Sequence, residues 1–215
     1  IAGVSEAFIR GHTALSRPPL VPELTLHLAT EITPLWEATE AWLEQRGVEP
    51  PYWAFAWAGG QALARYILDH PHLFAGKRVL DAFCYSGGFG LYAAGAGAAE
   101  VLGVDASEAA LDLARRNAAL NGLTNISFDN ADVFKHLGEL AASGHTFDVV
   151  VLDPPKFARN RAAVPDALKG YRRLHQLALK LLAPDGVLVS CCCTGLILMA
   201  DLEELLGQVS VEARR

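Results

Sequence analysis

Apolar residues in the second two thirds of the chain fall in short, nearly unbroken runs at 78–83, 101–105, 126–128, 147–153 and 186–192. Runs this short and this apolar predict strands covered on both faces. Between them, helical spacing appears near 88–95, 108–121, 133–143 and 167–182. Regular alternation of strand and helix predicts an α/β fold, a mostly parallel, doubly wound sheet with right-handed crossovers. Ligands of such sheets bind at the carboxyl ends of the strands, near the point where strand order reverses.

Residues 1–75 have another texture. They hold Pro18, Pro19, Pro22, Pro34, Pro50 and Pro51 and all four tryptophans. Leu24, Leu26 and Leu28 alternate with Thr25 and His27, which predicts a short strand. Thr33 as N-cap and Pro34 at the first helical position predict a helix running through Leu43 to Gly47. An aromatic run at 52–57 leads to Gly59-Gly60 and a helix over 61–70. The expected organisation is an N-terminal helical and strand appendage over 1–75, followed by an α/β domain over 76–215.

Composition narrows the classes. The chain has 215 residues, 52% hydrophobic and 20% charged, with a formal net charge of -6. That balance argues against disorder, collagen and coiled coil. No apolar run is long and clean enough to span a bilayer, and no charged-then-apolar leader opens the chain. Cys191, Cys192 and Cys193 are consecutive and Cys84 stands apart. This is no disulfide framework and has no zinc spacing, so a cytoplasmic setting and no metal are expected. The chain starts at Ile1 and stops at Arg215 just after a new apolar stretch, which suggests a processed chain or a fragment.

The predicted strand ends carry a row of polar groups. After the first comes Asp81-Ala82-Phe83-Cys84-Tyr85-Ser86-Gly87-Gly88-Phe89-Gly90, where glycines let backbone approach a ligand and open a helix. The second strand ends at Asp105, placed to accept two ribose hydroxyls, followed by Ala106 and Ser107, which offer a helix cap instead. The third leads to Asp132-Val133, where Asp132 could accept from an adenine amino group. The fourth leads to Asp153-Pro154-Pro155-Lys156-Phe157. A dehydrogenase would share the first two features and leave the last unexplained. Prolines there fix the backbone and free neighbouring polar groups for substrate.

The Asp-Pro-Pro-Lys element resembles motif IV of class I S-adenosylmethionine (SAM) methyltransferases, a Rossmann-like fold. More specifically, residues 78–197 resemble bacterial cytosine-C5 methyltransferases of large-subunit ribosomal RNA. The matching pieces are Asp81–Phe89, Val104–Ser107, Asp132–Lys135, Asp153–Phe157, Lys169–Arg172 and Cys193-Thr194-Gly195. The resemblance implies SAM as cofactor, held by Asp81, Phe83, Ser86, Gly87, Gly88, Phe89, Asp105, Ala106, Ser107, Asp132, Val133 and Asp153. It implies Cys193, Asp153 and Lys156 as catalytic residues. Cytosine carbon 5 is a poor nucleophile until a thiolate adds to carbon 6; Cys193 aligns with that nucleophile, and Asp153 would hold the ring through N3 and the amino group. The plain alternative is that the cysteines pack as small apolar residues at a strand end.

The N-terminal part is similar to another group, the electron-transfer-flavoprotein β-subunit lysine methyltransferases. Ala7–Arg10, Pro18–Glu23 and Pro51–Arg65 carry that likeness. It implies that Trp57 and Gly59, in a Trp-x-x-x-Trp-x-Gly-Gly element with Trp53 and Gly60, lie beside SAM. The other reading is that these aromatics staple the appendage to the sheet. Three functions therefore stand: methylation of rRNA at cytosine C5, methylation of a protein lysine, and a non-catalytic SAM-binding module.

Two further expectations concern charge and the chain end. Residues 154–180 hold Lys156, Arg159, Arg161, Lys169, Arg172, Arg173 and Lys180 against Asp166 alone. Such a stretch could hold RNA phosphates on an otherwise acidic protein, or be a solvated helix face. Sheets of this family normally have seven strands. Here the residues after Gly195 predict one helix over 199–206 and the start of a sixth strand at 209–212. A sheet truncated at its C-terminal strands would leave an exposed edge that favours a homodimer.

Overall fold

A computed structural model describes residues 11–38, 41–42, 45 and 52–213. Two short strands, β1 (Ala14–Ser16) and β2 (Leu26–Leu28), form an antiparallel pair with Ala14 opposite Leu28. The main sheet has β3 (Arg78–Ala82), β4 (Glu100–Asp105), β5 (Ile126–Asn130), β6 (Phe147–Leu152) and β7 (Leu182–Ser190). Its order is β5-β4-β3-β6-β7 and every pairing is parallel. The order reverses at β3, so the switch point lies between β3 and β6.

Among the described residues, six α-helices flank the sheet: α1 (Ala58–Asp69), α2 (Gly88–Gly95), α3 (Glu108–Leu120), α4 (Val133–Ala142), α5 (Val164–Leu181) and α6 (Met199–Glu212). Strand side chains alternate between faces. Leu80, Ala82, Val104, Val150 and Leu152 pack with α4, α5 and α6. Val79, Val101, Val149 and Val151 pack with α1, α2 and Ala118 of α3. The three central strands are buried on both sides, which is why the sequence shows them as apolar runs rather than as alternation. Ser107 caps α3 by accepting from Ala110 N–H at 3.3 Å, and Asp132 caps α4 by accepting from Lys135 N–H at 2.8 Å.

The N-terminal segment is bonded to this body. Tyr92 of α2 donates its hydroxyl to the Val21 carbonyl at 2.8 Å. Asn121 accepts from Thr25 N–H and donates to the Thr25 carbonyl, both at 2.8 Å. Val21 and Leu24 join the core that α1 and α2 share.

Four expectations change. Thr33 does not open a helix at Pro34: its hydroxyl accepts from Thr30 N–H and donates to the Thr30 carbonyl, closing a turn, and 31–37 are turns and a bend. Among the described residues of this stretch, Ala41–Trp42 are helical, with Gln45 N–H donating to the Ala41 carbonyl; Leu43 and Gly47 lie outside the described residues. Local hydroxyl bonding of this kind competes with helix entry. The strand near Leu24 is confined to Leu26–Leu28, and its partner β1 was not foreseen because three residues give too short a pattern.

The last strand begins at Leu182 and stops at Ser190, although Cys191 N–H still bonds the Leu152 carbonyl at 2.8 Å. Finally, 209–212 is no strand. Leu202, Leu205 and Val209, spaced at helical intervals, are buried on one face of α6, which continues through Glu212.

Gly103 of β4 shows how tightly the loop after β3 is packed against β4 and β5. A β-carbon there would lie 2.7 Å from the Phe128 ring and 3.0 Å from the Cys84 sulfur. Gly103→Ala should therefore cost about 1–3 kcal/mol of stability by overpacking. Urea unfolding with an unchanged slope checks this, and an unchanged midpoint would show that the ring moves aside freely.

Candidate functional site

The site is built where β3, β4 and β6 end side by side. The loop after β3 is coiled: Phe83, Tyr85 and Gly87 have φ of 64°, 49° and 83°. Left-handed backbone at two non-glycine residues costs about 1–3 kcal/mol each and persists only where surroundings enforce it. Here Phe83 and Cys84 N–H both donate to the Val104 carbonyl, at 2.9 and 3.1 Å. Tyr85 N–H donates to Asp105 Oδ2 at 2.9 Å. Asp105 Oδ1 accepts from Ser107 N–H at 2.8 Å. Asp105 is thus the staple of the loop as well as a rim carboxylate, and Ser107, not Asp105, caps α3.

Asp81 is fully buried one position before the end of β3, between Gly103 and Val151. Its Oδ2 accepts from Gly90 N–H at 2.8 Å, and its Oδ1 has no hydrogen-bond partner. A β-carbon on Gly90 would lie 3.1 Å from Asp81 Oδ2, so glycine is what lets α2 close over the carboxylate. Burial, with Asp153 and Asp105 adding repulsion, pushes the Asp81 carboxyl up to about 7 against the opposing Gly90 hydrogen bond. Gly87 is the left-handed N-cap of α2, and beside Gly88 the space is open. Ser86 and Phe89 are half-buried, Phe89 packing in the core with α2.

The other predicted residues are placed unequally. Ala106 is exposed and Asp132 is exposed with one oxygen in the α4 cap, while the Val133 side chain is in the core. Phe83 stacks edge-on with Phe134 at 6.1 Å. Trp57 precedes α1, its indole N–H donating to the Tyr52 carbonyl at 2.9 Å, its ring near Tyr52 and Phe55. Those contacts are within its own segment, and Gly59 has open space beside it.

The loops after β6 and β7 come together. Asp153 N–H bonds the Ala82 carbonyl at 3.2 Å, and burial pushes its half-buried carboxyl up. The Cys193 thiol is exposed and donates to the Pro154 carbonyl at 3.6 Å. Burial and Asp153 push that thiol up, while Lys156 pulls the other way. Cys192 packs toward the core and Cys191, pushed up to about 12 by burial, then Asp153 and Asp81, stays a thiol. Sequence reasoning missed Tyr171, His175, Ser190 and Thr194, which bond around these loops; the spacing of Tyr171 and His175 on a helix was the available signal.

The basic segment is only partly free. Lys169 pairs with Asp166 at 2.8 Å, Arg172 with Glu212 at 2.7 Å and with Gln208, and Arg173 lies over the Phe134 ring. Lys156, Arg159 and Arg161 are exposed in the chain that follows Asp153. Among the described residues no His, Cys, Asp and Glu group could hold a metal ion, and no helix is long and apolar enough to cross a membrane.

Residues 73–214 match the methyltransferase domain family. The chain belongs to that family. Its relatives include the "Ribosomal RNA large subunit methyltransferase I" of Aeromonas hydrophila, 47% identical over 157 residues, covering 72% of this chain and 38% of the relative. That of Photobacterium profundum is 46% identical over the same shares. The chain thus spans about two fifths of the length of these curated relatives. Among solved structures, the SAM-dependent methyltransferase from Agrobacterium tumefaciens has a TM-score of 0.63 at 23% identity, covering 93% of this chain and 58% of that one. The Rossmann-like methyltransferase fold expected from the sequence is the fold observed.

A domain of this methyltransferase family takes SAM as methyl donor, and the rim fits it. SAM carries a sulfonium and an ammonium, and the rim offers the unpaired Asp81 oxygen, the nearby Asp105 and Asp153 carboxylates, and open backbone at Gly88.

The Asp81 carboxyl also makes a stability prediction. Its folded value of about 7 lies above its ordinary 3.8, so its contribution is fully present below that lower value and is lost as pH rises through about 7. Without cofactor, the stability difference between the wild type and Asp81→Asn should shift in the variant's favour from about pH 4 to pH 8. A flat difference in urea midpoint across that range would mean Asp81 is ionised throughout.

Proposed function

We propose that this chain is the catalytic core of a SAM-dependent methyltransferase that modifies carbon 5 of a cytosine in large-subunit rRNA. The observation that carries the reading is the Cys193 thiol lying 3.6 Å from the Pro154 carbonyl, in the loop of the half-buried Asp153. SAM, when bound, supplies a methyl carbon on a positively charged sulfur. Asp81 and Asp105 hold the negative potential that favours this cation, with Ser86 to Phe89, Ala106 to Ser107 and Asp132-Val133 along the rim and Trp57 and Gly59 contributed by the N-terminal segment.

Asp153 meets the cytosine. Burial favours its neutral carboxyl, which offers one O–H donor and one carbonyl acceptor. Ring N3 accepts and the amino group donates, so the two edges match. Cys193, once deprotonated, forms a bond to carbon 6, and the displaced electron pair makes carbon 5 nucleophilic. After carbon 5 gains its methyl group, loss of its proton to a base lets the carbon–sulfur bond break and frees the thiolate. Lys156 favours the thiolate, and Lys156, Arg159 and Arg161 form a short cationic strip for backbone phosphates. An rRNA substrate implies work in the cytoplasm. The lysine reading rests on the N-terminal likeness alone, whereas the relatives reported above are named for rRNA.

Cys193→Ala should lower methyl transfer to rRNA on the order of 10³-fold or more, as removal of a nucleophile does. Wild-type protein with SAM and RNA containing 5-fluorocytidine should form a covalent complex that the variant cannot form, since carbon 5 then has no proton to lose. A fully active alanine variant would end the cysteine mechanism. Label from tritiated SAM that protease removes and RNase leaves would replace RNA by protein as the acceptor.

A further inference from the structure

The three cysteines lie between two polar anchors. Before them, the Ser190 hydroxyl lies 2.8 Å from His175 Nε2. His175 Nδ1 is 2.7 Å from the Tyr171 carbonyl. A carbonyl only accepts, so Nδ1 carries the proton and Nε2 accepts from Ser190. Burial pulls the imidazole down, in agreement with this neutral form. After the cysteines comes Thr194, 1% exposed. Its hydroxyl oxygen accepts from Phe157 N–H at 3.2 Å and lies 3.4 Å from the Tyr171 hydroxyl.

Tyr171 and His175 are one turn apart on α5, and both are fully buried. One face of one helix therefore holds both ends of the cysteine triplet. Thr194 adds the link to the opposite loop, because Phe157 belongs to the segment that begins at Asp153, and the Phe157 ring packs on Tyr171 at 4.8 Å. With both ends fixed and Cys192 turned toward the core, Cys193 is left facing the Pro154 carbonyl.

We propose that Thr194 is a positioning residue for Cys193: its hydroxyl locks the loop after β7 to the loop after β6, with Tyr171 and His175 as the fixed support. The proposal rests on the reading of Cys193 as the nucleophile. A merely structural Thr194 would affect stability and leave the thiol's reactivity and the turnover of folded protein unchanged.

The test compares Thr194→Val, which keeps the shape and removes the hydroxyl, with Thr194→Ser, which keeps the hydroxyl. Thr194→Val should lower kcat on rRNA by about tenfold or more, the scale of one lost buried hydrogen bond, with KM for RNA within about twofold. Its rate of alkylation of Cys193 by iodoacetamide, read by peptide mass spectrometry across pH, should change by about threefold or more. Thr194→Ser should restore both to within about twofold.

Should the valine variant fail to fold, Tyr171→Phe, which removes only the facing hydroxyl, should move both readouts in the same direction. Unchanged kcat and alkylation in folded Thr194→Val, or no rescue by serine, overturns the proposal. Full RNA activity of Cys193→Ala would instead overturn the nucleophile reading, and the alkylation comparison still decides whether Thr194 sets the thiol's position.

Discussion

A carboxylate sealed from water lies at the centre of this fold. Asp81 sits on the middle strand of the sheet, where the strand order reverses, and spends one oxygen on Gly90 N–H of α2. That bond ties the strand to the helix whose first turn borders the cofactor rim. It requires glycine at position 90, where a β-carbon would lie 3.1 Å from the Asp81 oxygen. The second oxygen is unpaired, and two more carboxylates act on it from the neighbouring strand ends. An arrangement that raises the energy of the ligand-free protein is expected where charge is to be met by a cationic ligand.

The loops after β6 and β7 are organised differently. They are backed by aromatic rings and held from α5. Rings run from Phe83 through Phe134, Phe157 and Tyr171 to His175, with successive centroids 4.8–6.2 Å apart. This row links the loop after β3, α4, the loop after β6 and α5, on the face opposite α2. The cofactor rim and the cysteine loop thus share the ends of β3 and β6 and are supported by different layers of the protein.

Much of this was legible in the sequence, for identifiable reasons. The central strands are doubly covered, so their apolar runs could belong to little else, and the carboxylates that end them fell into one row. The role proposed for Cys193 came only from likeness to a family, since three adjacent cysteines have no periodicity that selects one. What could not be read were features set by contacts between distant segments. Thr33 looked like a helix cap until Thr30 took its hydroxyl. Val209 looked like a strand residue until Leu202 and Leu205 made it part of a buried helical stripe. The cation-rich stretch looked like a single patch until Glu212, Asp166 and Phe134 claimed Arg172, Lys169 and Arg173. Tyr171 and His175 were ordinary residues of an amphipathic helix until the fold brought Ser190 and Thr194 against them.

The placement of the tryptophans has a practical meaning. All four precede α1, and the sheet with its five later helices contains none. Trp36 and Trp57 are about half exposed, and Trp42 meets His12 edge-on at 5.4 Å. Indole emission therefore reports on the N-terminal segment, while the sheet and helices α2 to α6 carry no indole of their own. The protein carries its own optical label for the docking of that segment.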